Sequence, residues 1–96
     1  MIMTITKEVV FVAKKESIEA LKALLVMMVA PSQAEEGCLF YHICQYKEQP
    51  EKFLVVESWR DEAALEGHKA SAHYKAYKSS FEPFCAEKYS NELHVL

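Results

Sequence analysis

ESWRDEAALEGHKASAHYKAY, residues 57–77, is the stretch on which the reading of this chain turns. It leaves a strand-like apolar run through Trp59 and then changes period at Asp61. Aspartate is a favoured N-cap, so EAALEGH behind it predicts a short helix that stops near Gly67. Ser71 predicts a second cap. After it Tyr74, Tyr77, Phe81 and Phe84 recur at helical spacing, and Pro83 ends the helix. The segment holds the only tryptophan and two of the four histidines, His68 and His73.

Upstream, residues 53–59 (FLVVESW) form an expected strand, apolar on both faces apart from Glu57 and Ser58. The polar KEQPEK turn joins it to CLFYHICQY, residues 38–46, and the pair predicts an antiparallel hairpin. Simple alternation puts Leu39, Tyr41 and Ile43 on one face, with Cys38, Phe40, His42 and Cys44 on the other. Before the hairpin, Ile18, Leu21, Leu24, Leu25 and Met28 make a helical stripe behind a Ser17 cap. Pro31 is expected to kink or end that helix, and Gly37 to supply its C-terminal stop.

Residues 2–13 alternate with β-branched types and predict the first strand, with Met3, Ile5, Val9 and Phe11 on one face and Lys7 interrupting them. The tail from Ala86 predicts a last strand, with Tyr89, Asn91, Leu93 and Val95 opposite Lys88, Ser90, Glu92 and His94. The order is β-α-β-β-α-β, the α+β ferredoxin-like arrangement of an antiparallel sheet with its helices on one face. The whole chain, 1–96, reads as one domain. Strands two and three are apolar on both sides, so a bare sheet face predicts a symmetric homodimer packed sheet against sheet.

The bulk numbers narrow the partners. A net charge of −3 with no basic run disfavours nucleic acid and anionic membrane. The longest apolar run, Ala23–Ala30, is too short for a membrane span. Cys38, Cys44 and Cys85 are an odd set without CxxC spacing, which fits reduced thiols and a cytoplasmic protein.

The runs EEGCLFY at 35–41, Glu57-x-Trp59 and W-x-D-x3-L-x2-H-x4-H from Trp59 to His73 resemble the antibiotic biosynthesis monooxygenase domain family. The resemblance spans the chain and implies a dimeric α+β barrel with a pocket between helices and sheet in each subunit. It implies oxygenation of quinols or polyphenols without a cofactor, haem degradation, or isomerisation of small phosphorylated metabolites. The haem branch relies on a first-strand asparagine, a tryptophan at the Trp59 position and a histidine on the last helix. Only Trp59 matches. The first strand offers Thr6, Lys7 and Glu8, and the last helix Tyr77, Lys78 and Ser79.

Cofactor-free oxidation of a small aromatic hydroxyl compound requires a base near neutral pKa, oxyanion donors and an aromatic wall. His68 and His73 are the candidate catalytic residues. Trp59, Tyr74, Phe40, His42, Tyr41, Phe81 and Lys7 are the candidate substrate contacts. Each histidine also has a purely structural reading, bonding backbone groups freed at a helix end. Glu57, if buried, needs a partner, and a lysine or histidine is expected. His68 and His73 lack the i, i+4 spacing of helical zinc ligands, so no metal is expected. The second reading is a lyase or isomerase of a small carbonyl metabolite using the same histidines, with Lys7, Lys69 and Lys75 available for a phosphate. The third is a non-catalytic ligand-binding dimer.

Overall fold

Thr6 and Ser58 meet side chain to side chain at 2.7 Å, and that buried pair fixes the register of the two central strands. The computed structural model describes residues 4–96, so Met3 of the expected first strand lies outside the described residues. Four strands form one antiparallel sheet: β1 (Ile5–Ala13), β2 (Cys38–Gln45), β3 (Lys52–Trp59) and β4 (Cys85–Leu93), in the order β2-β3-β1-β4. The helices α1 (Ile18–Val26) and α2 (Val29–Gln33) fill the first crossover, and α3 (Glu62–Lys69) and α4 (Ala72–Ser80) the second. This is the ferredoxin-like α+β arrangement.

The core lies between one sheet face and the helices. Phe11, Phe53, Val55 and Trp59 from the strands meet Leu21, Leu25, Met28, Leu65, Tyr77 and Phe81 from the helical side. The second crossover follows its caps. Asp61 Oδ1 accepts from the Ala64 N–H at 2.9 Å, and Ser71 Oγ accepts from the Tyr74 N–H at 3.2 Å. Gly67 does not stop α3, which runs on to Lys69.

Three local expectations are corrected. Ser17 precedes α1 but makes no side-chain cap bond, because a 3-10 turn at Lys15–Ser17 already closes the entry. Pro31 sits inside α2, and the break falls earlier, at Met27 and Met28. The Pro31 ring would meet the Met27 carbonyl four residues back, so the chain leaves α1 there and restarts with proline in the first turn. Gly37 has no left-handed backbone. It is small because α3 passes over it, and a Cβ at Gly37 would stand 2.3 Å from the Ala64 Cβ.

The alternation in β2 also slips. The register shifts between Cys38 and Phe40, so Leu39 turns outward and is 53% exposed. Cys38 and Tyr41 therefore share the helix-side face, while Phe40 and His42 lie on the opposite face, their rings stacked at 6.0 Å. That bare face carries Val10, Leu54, Val56, Phe40, Tyr89 and Leu93 around the Thr6–Ser58 pair. Among the described residues, no helix is long and apolar enough to cross a membrane.

Candidate active site

Between the helices and the sheet lies a cavity of about 80 Å³. Val9, Phe11, Leu25, Met28, Val55 and Leu65 give it an apolar floor. Tyr41, Tyr74 and Tyr77, which carry hydroxyls, and the ionisable Glu57 and His68 also line it. Lys7, Lys69, Lys88 and Ser90 complete the lining.

His68 is the centre of the site. It is 2% exposed and sits on the last turn of α3. Trp59 flanks it at 4.4 Å between ring centroids, Tyr74 meets it edge-on at 5.1 Å, and Tyr41 lies at 5.8 Å. The Ser71 hydroxyl donates to the His68 carbonyl at 2.6 Å, so the α4 cap also secures the residue's backbone.

The imidazole is oriented by a residue that local reading overlooked. His68 Nδ1 donates to Glu35 Oε2 at 2.6 Å, and His73 Nε2 donates to the same oxygen at 2.8 Å. Glu35 stands at the start of EEGCLFY, between α2 and β2, which faces the gap between α3 and α4. The carboxylate fixes the His68 tautomer with the proton on Nδ1. Among the described residues Nε2 makes no hydrogen bond, which leaves a free lone pair on a ring that walls the cavity.

Glu57, at 8% exposure, accepts from Trp59 Nε1 at 2.8 Å. Its partner is thus the indole rather than the lysine or histidine expected for it. Lys7 faces Glu57 across the sheet without forming an ion pair.

Burial, and then the charge of Glu57, hold the Tyr41 and Tyr74 hydroxyls above the ordinary phenol range. Burial raises Tyr77 too, with Tyr74 as the next cause. All three stay protonated at neutral pH and are available as hydrogen-bond donors.

The structure therefore brings His68, Tyr41, Tyr74 and Lys7 to the cavity and leaves the other candidates outside its lining. His73 stands behind His68, bonded to Glu35. Trp59 is fully buried and supports His68 and Glu57 from behind. Phe81 packs in the core against Tyr77 and Phe11. Phe40 and His42 are on the wrong sheet face, because β2 alternates and only the Tyr41 side looks inward. Lys75 is exposed and points no charge into the cavity, and Lys88 from β4 lines it instead.

The spacing argument against a metal is also corrected. The helix break does not separate His68 and His73, and together with Glu35 they place three ligand-type atoms within 4.8 Å of one another. In this arrangement both histidines spend those nitrogens on hydrogen bonds to one carboxylate oxygen.

The family model described as Antibiotic biosynthesis monooxygenase matches residues 4–80. The chain belongs to the antibiotic biosynthesis monooxygenase family. A Mycobacterium tuberculosis protein named "Putative monooxygenase Rv0793" is 33% identical over 69 residues, 72% of this chain and 67% of that protein. A Bacillus subtilis protein named "Putative monooxygenase YcnE" is 34% identical over 50 residues, and the match spans about half of each chain, 52% and 53%. Among solved structures, PA3566 from Pseudomonas aeruginosa superimposes with a TM-score of 0.93 at 33% identity, covering 98% of this chain and 95% of that one. The structure of Rv0793 itself gives a TM-score of 0.90 at 26% identity, covering 97% and 95%. The matched residues 4–80 include the EEGCLFY and W-x-D-x3-L-x2-H-x4-H runs, which hold the Glu35, His68 and His73 cluster.

Proposed function

We propose that this protein is a cofactor-independent monooxygenase that oxidises a small quinol or related aromatic hydroxyl compound with O2. The observation that carries this reading is the Glu35–His68 bond at 2.6 Å, which leaves His68 Nε2 as a free base on the wall of an aromatic cavity. The family and the names of its relatives support the reaction class.

His68 Nε2 takes the proton of a ring hydroxyl, and Glu35 stabilises the imidazolium that forms. The phenolate then passes one electron to O2. The resulting semiquinone radical and superoxide combine at a ring carbon to form a C–O bond. His68 returns its proton to the peroxide, the O–O bond breaks, and one oxygen leaves as water with the hydrogen of that carbon. A quinol and O2 thus give a hydroxyquinone and water, with all four electrons supplied by the substrate. The protonated Tyr41 and Tyr74 are placed to hydrogen-bond the substrate oxygens as charge develops there.

The bare sheet face supports the second part of the proposal, a homodimer packed through Phe40, Leu54, Val56 and their neighbours. His42 and Phe40 then contribute to assembly rather than to the cavity.

The test of the reaction is isotopic. Metal-stripped protein is incubated with one-ring quinols under labelled O2, and the product is weighed by mass spectrometry. One labelled oxygen atom per product molecule is expected. Product without label, or no oxygen consumption with any quinol, overturns the reading.

A further inference from the structure

The cavity carries a charge pattern that neither the fold nor a neutral quinol requires. Three lysines, Lys7, Lys69 and Lys88, line it against one carboxylate, Glu57, in a chain whose net charge is −3. That single carboxylate is already held by Trp59 Nε1.

We propose that this cavity binds a small metabolite carrying an oxyanionic group, a carboxylate or a phosphate, with Lys7, Lys69 and Lys88 as the anion contacts. The placement of the molecule's other end against His68 rests on the function proposed above; the anion contact does not.

None of the three lysines forms an ion pair among the described residues. Lys7 lies opposite Glu57 on β3 and Glu92 on β4, on the same sheet face as both. Yet the ion pairs among the described residues involve only Arg60 and the two histidines bonded to Glu35. Lys88 is an exposed residue whose ammonium lies over aromatic faces. Its Nζ stands 4.8 Å from the Phe81 ring centroid, 5.5 Å from Tyr77 and 5.6 Å from Phe11. Burial first, and then the like charge of Lys78 and Lys7, pull the Lys88 ammonium below the ordinary lysine range. Lys88 thus feels the like charge of Lys7, and an anion bound by both relieves that repulsion. A lysine ammonium suits either oxyanion as a compact point charge.

Size agrees with charge. The cavity of about 80 Å³ is roughly half the ~150 Å³ of an apolar cavity that admits benzene. The ring of a one-ring molecule therefore reaches beyond the enclosed volume, and Lys69, Lys88 and Ser90 are the solvent-exposed members of the lining toward which its anionic group can extend.

Titration calorimetry on the full chain compares hydroquinone, para-hydroxybenzoate and phenyl phosphate, the first neutral and the others bearing a carboxylate or a phosphate. At least one anion is expected to bind about tenfold or more tighter than hydroquinone, the weight of one charge-assisted hydrogen bond. The anion that wins identifies the group. Binding is expected to weaken with added salt in the wild-type protein, a readout independent of any variant. The Lys7→Gln/Lys88→Gln double variant is expected to lose the preference, while Lys22→Gln on exposed α1 keeps it. Equal binding of hydroquinone and both anions, no binding of any of the three, or anion binding indifferent to salt and to the double variant overturns the proposal. Because no turnover is needed, anion binding without oxygen consumption removes the oxidation and leaves the anion site standing.

Discussion

Glu35 Oε2 accepts the Nδ1 proton of His68 at 2.6 Å, across 33 positions of sequence, in a setting where His68 is all but sealed from solvent. The same oxygen takes the His73 proton at 2.8 Å, so one carboxylate orders the α3–α4 break and sets the tautomer of the proposed base. Glu35→Gln keeps the shape but replaces the shared anion with a neutral amide. We expect kcat to fall about 10- to 100-fold with a smaller change in KM, as misplacement of a reacting group costs. The buried imidazole that loses its anionic partner costs about 1–3 kcal/mol of stability. Steady-state oxygen consumption and urea unfolding read the two effects separately.

Trp59→Phe removes the indole N–H that Glu57 Oε1 accepts at 2.8 Å while keeping most of the aromatic volume beside His68. A carboxylate with 8% exposure is then left short of a donor. Unfolding in urea is expected to show a loss of about 1.5–3 kcal/mol with an unchanged m-value. A neutral result would mean that Lys7, opposite in the sheet, swings over to replace the indole.

Gly37→Ala puts a methyl 2.3 Å from the Ala64 Cβ, with no flexible side chain to give way. A loss of about 1–3 kcal/mol is expected. Ala64→Gly alone costs about 1 kcal/mol through helix propensity. In the double variant the two losses should fall short of additive, because the clash is gone, and a double-mutant cycle by denaturation measures the difference.

The tyrosines give a pH prediction with a definite sign. Tyr41, Tyr74 and Tyr77 are held above the ordinary phenol range in the fold, chiefly by burial. Unfolded tyrosine ionises near pH 10. Above that pH the folded state binds more protons than the unfolded state, so stability falls as pH rises. Thermal unfolding is expected to be little changed by these groups below about pH 9 and to drop through pH 10 and beyond. Tyr41→Phe should flatten the drop.

The bare sheet face predicts assembly. Equilibrium sedimentation is expected to give about twice the 11.0 kDa chain mass. Leu54→Lys, on that face beside Val10 and Cys44, should shift the mass toward the monomer. A stable monomer at micromolar concentration contradicts the sheet-on-sheet dimer.

Sequence periodicity carries what is local. The Asp61 and Ser71 caps, the hairpin and the Tyr74 and Tyr77 pair of α4 are set by neighbours a few residues apart and are legible in order, whereas Phe81 and Phe84, expected to continue that stripe, lie past the end of α4 at Ser80. The β2 faces are legible from Phe40 to Cys44, but Cys38 joins the Tyr41 side because one extra residue at Leu39 interrupts the alternation, and nothing in its side chain announces it. Gly37 reads as a helix stop until α3 is seen lying on it. The same limit governs the site. His68 and Trp59 stand out as rare residue types in one run, whereas Glu35 is an ordinary acid in an acidic turn. Only the fold brings it to both histidines, and only the fold assembles Lys7, Lys69 and Lys88 from three separate elements. The EEG of EEGCLFY was the available signal: an acid fixed beside a glycine that the close approach of α3 demands.

The initial rate of oxygen consumption by His68→Gln beside the wild type, on the same one-ring quinol at saturation, tests the central claim most directly. The account predicts measurable uptake by the wild type and a rate about 10²- to 10⁴-fold lower in the variant, the contribution of a positioned base. Equal rates in the two proteins, or no uptake by the wild type, would contradict it.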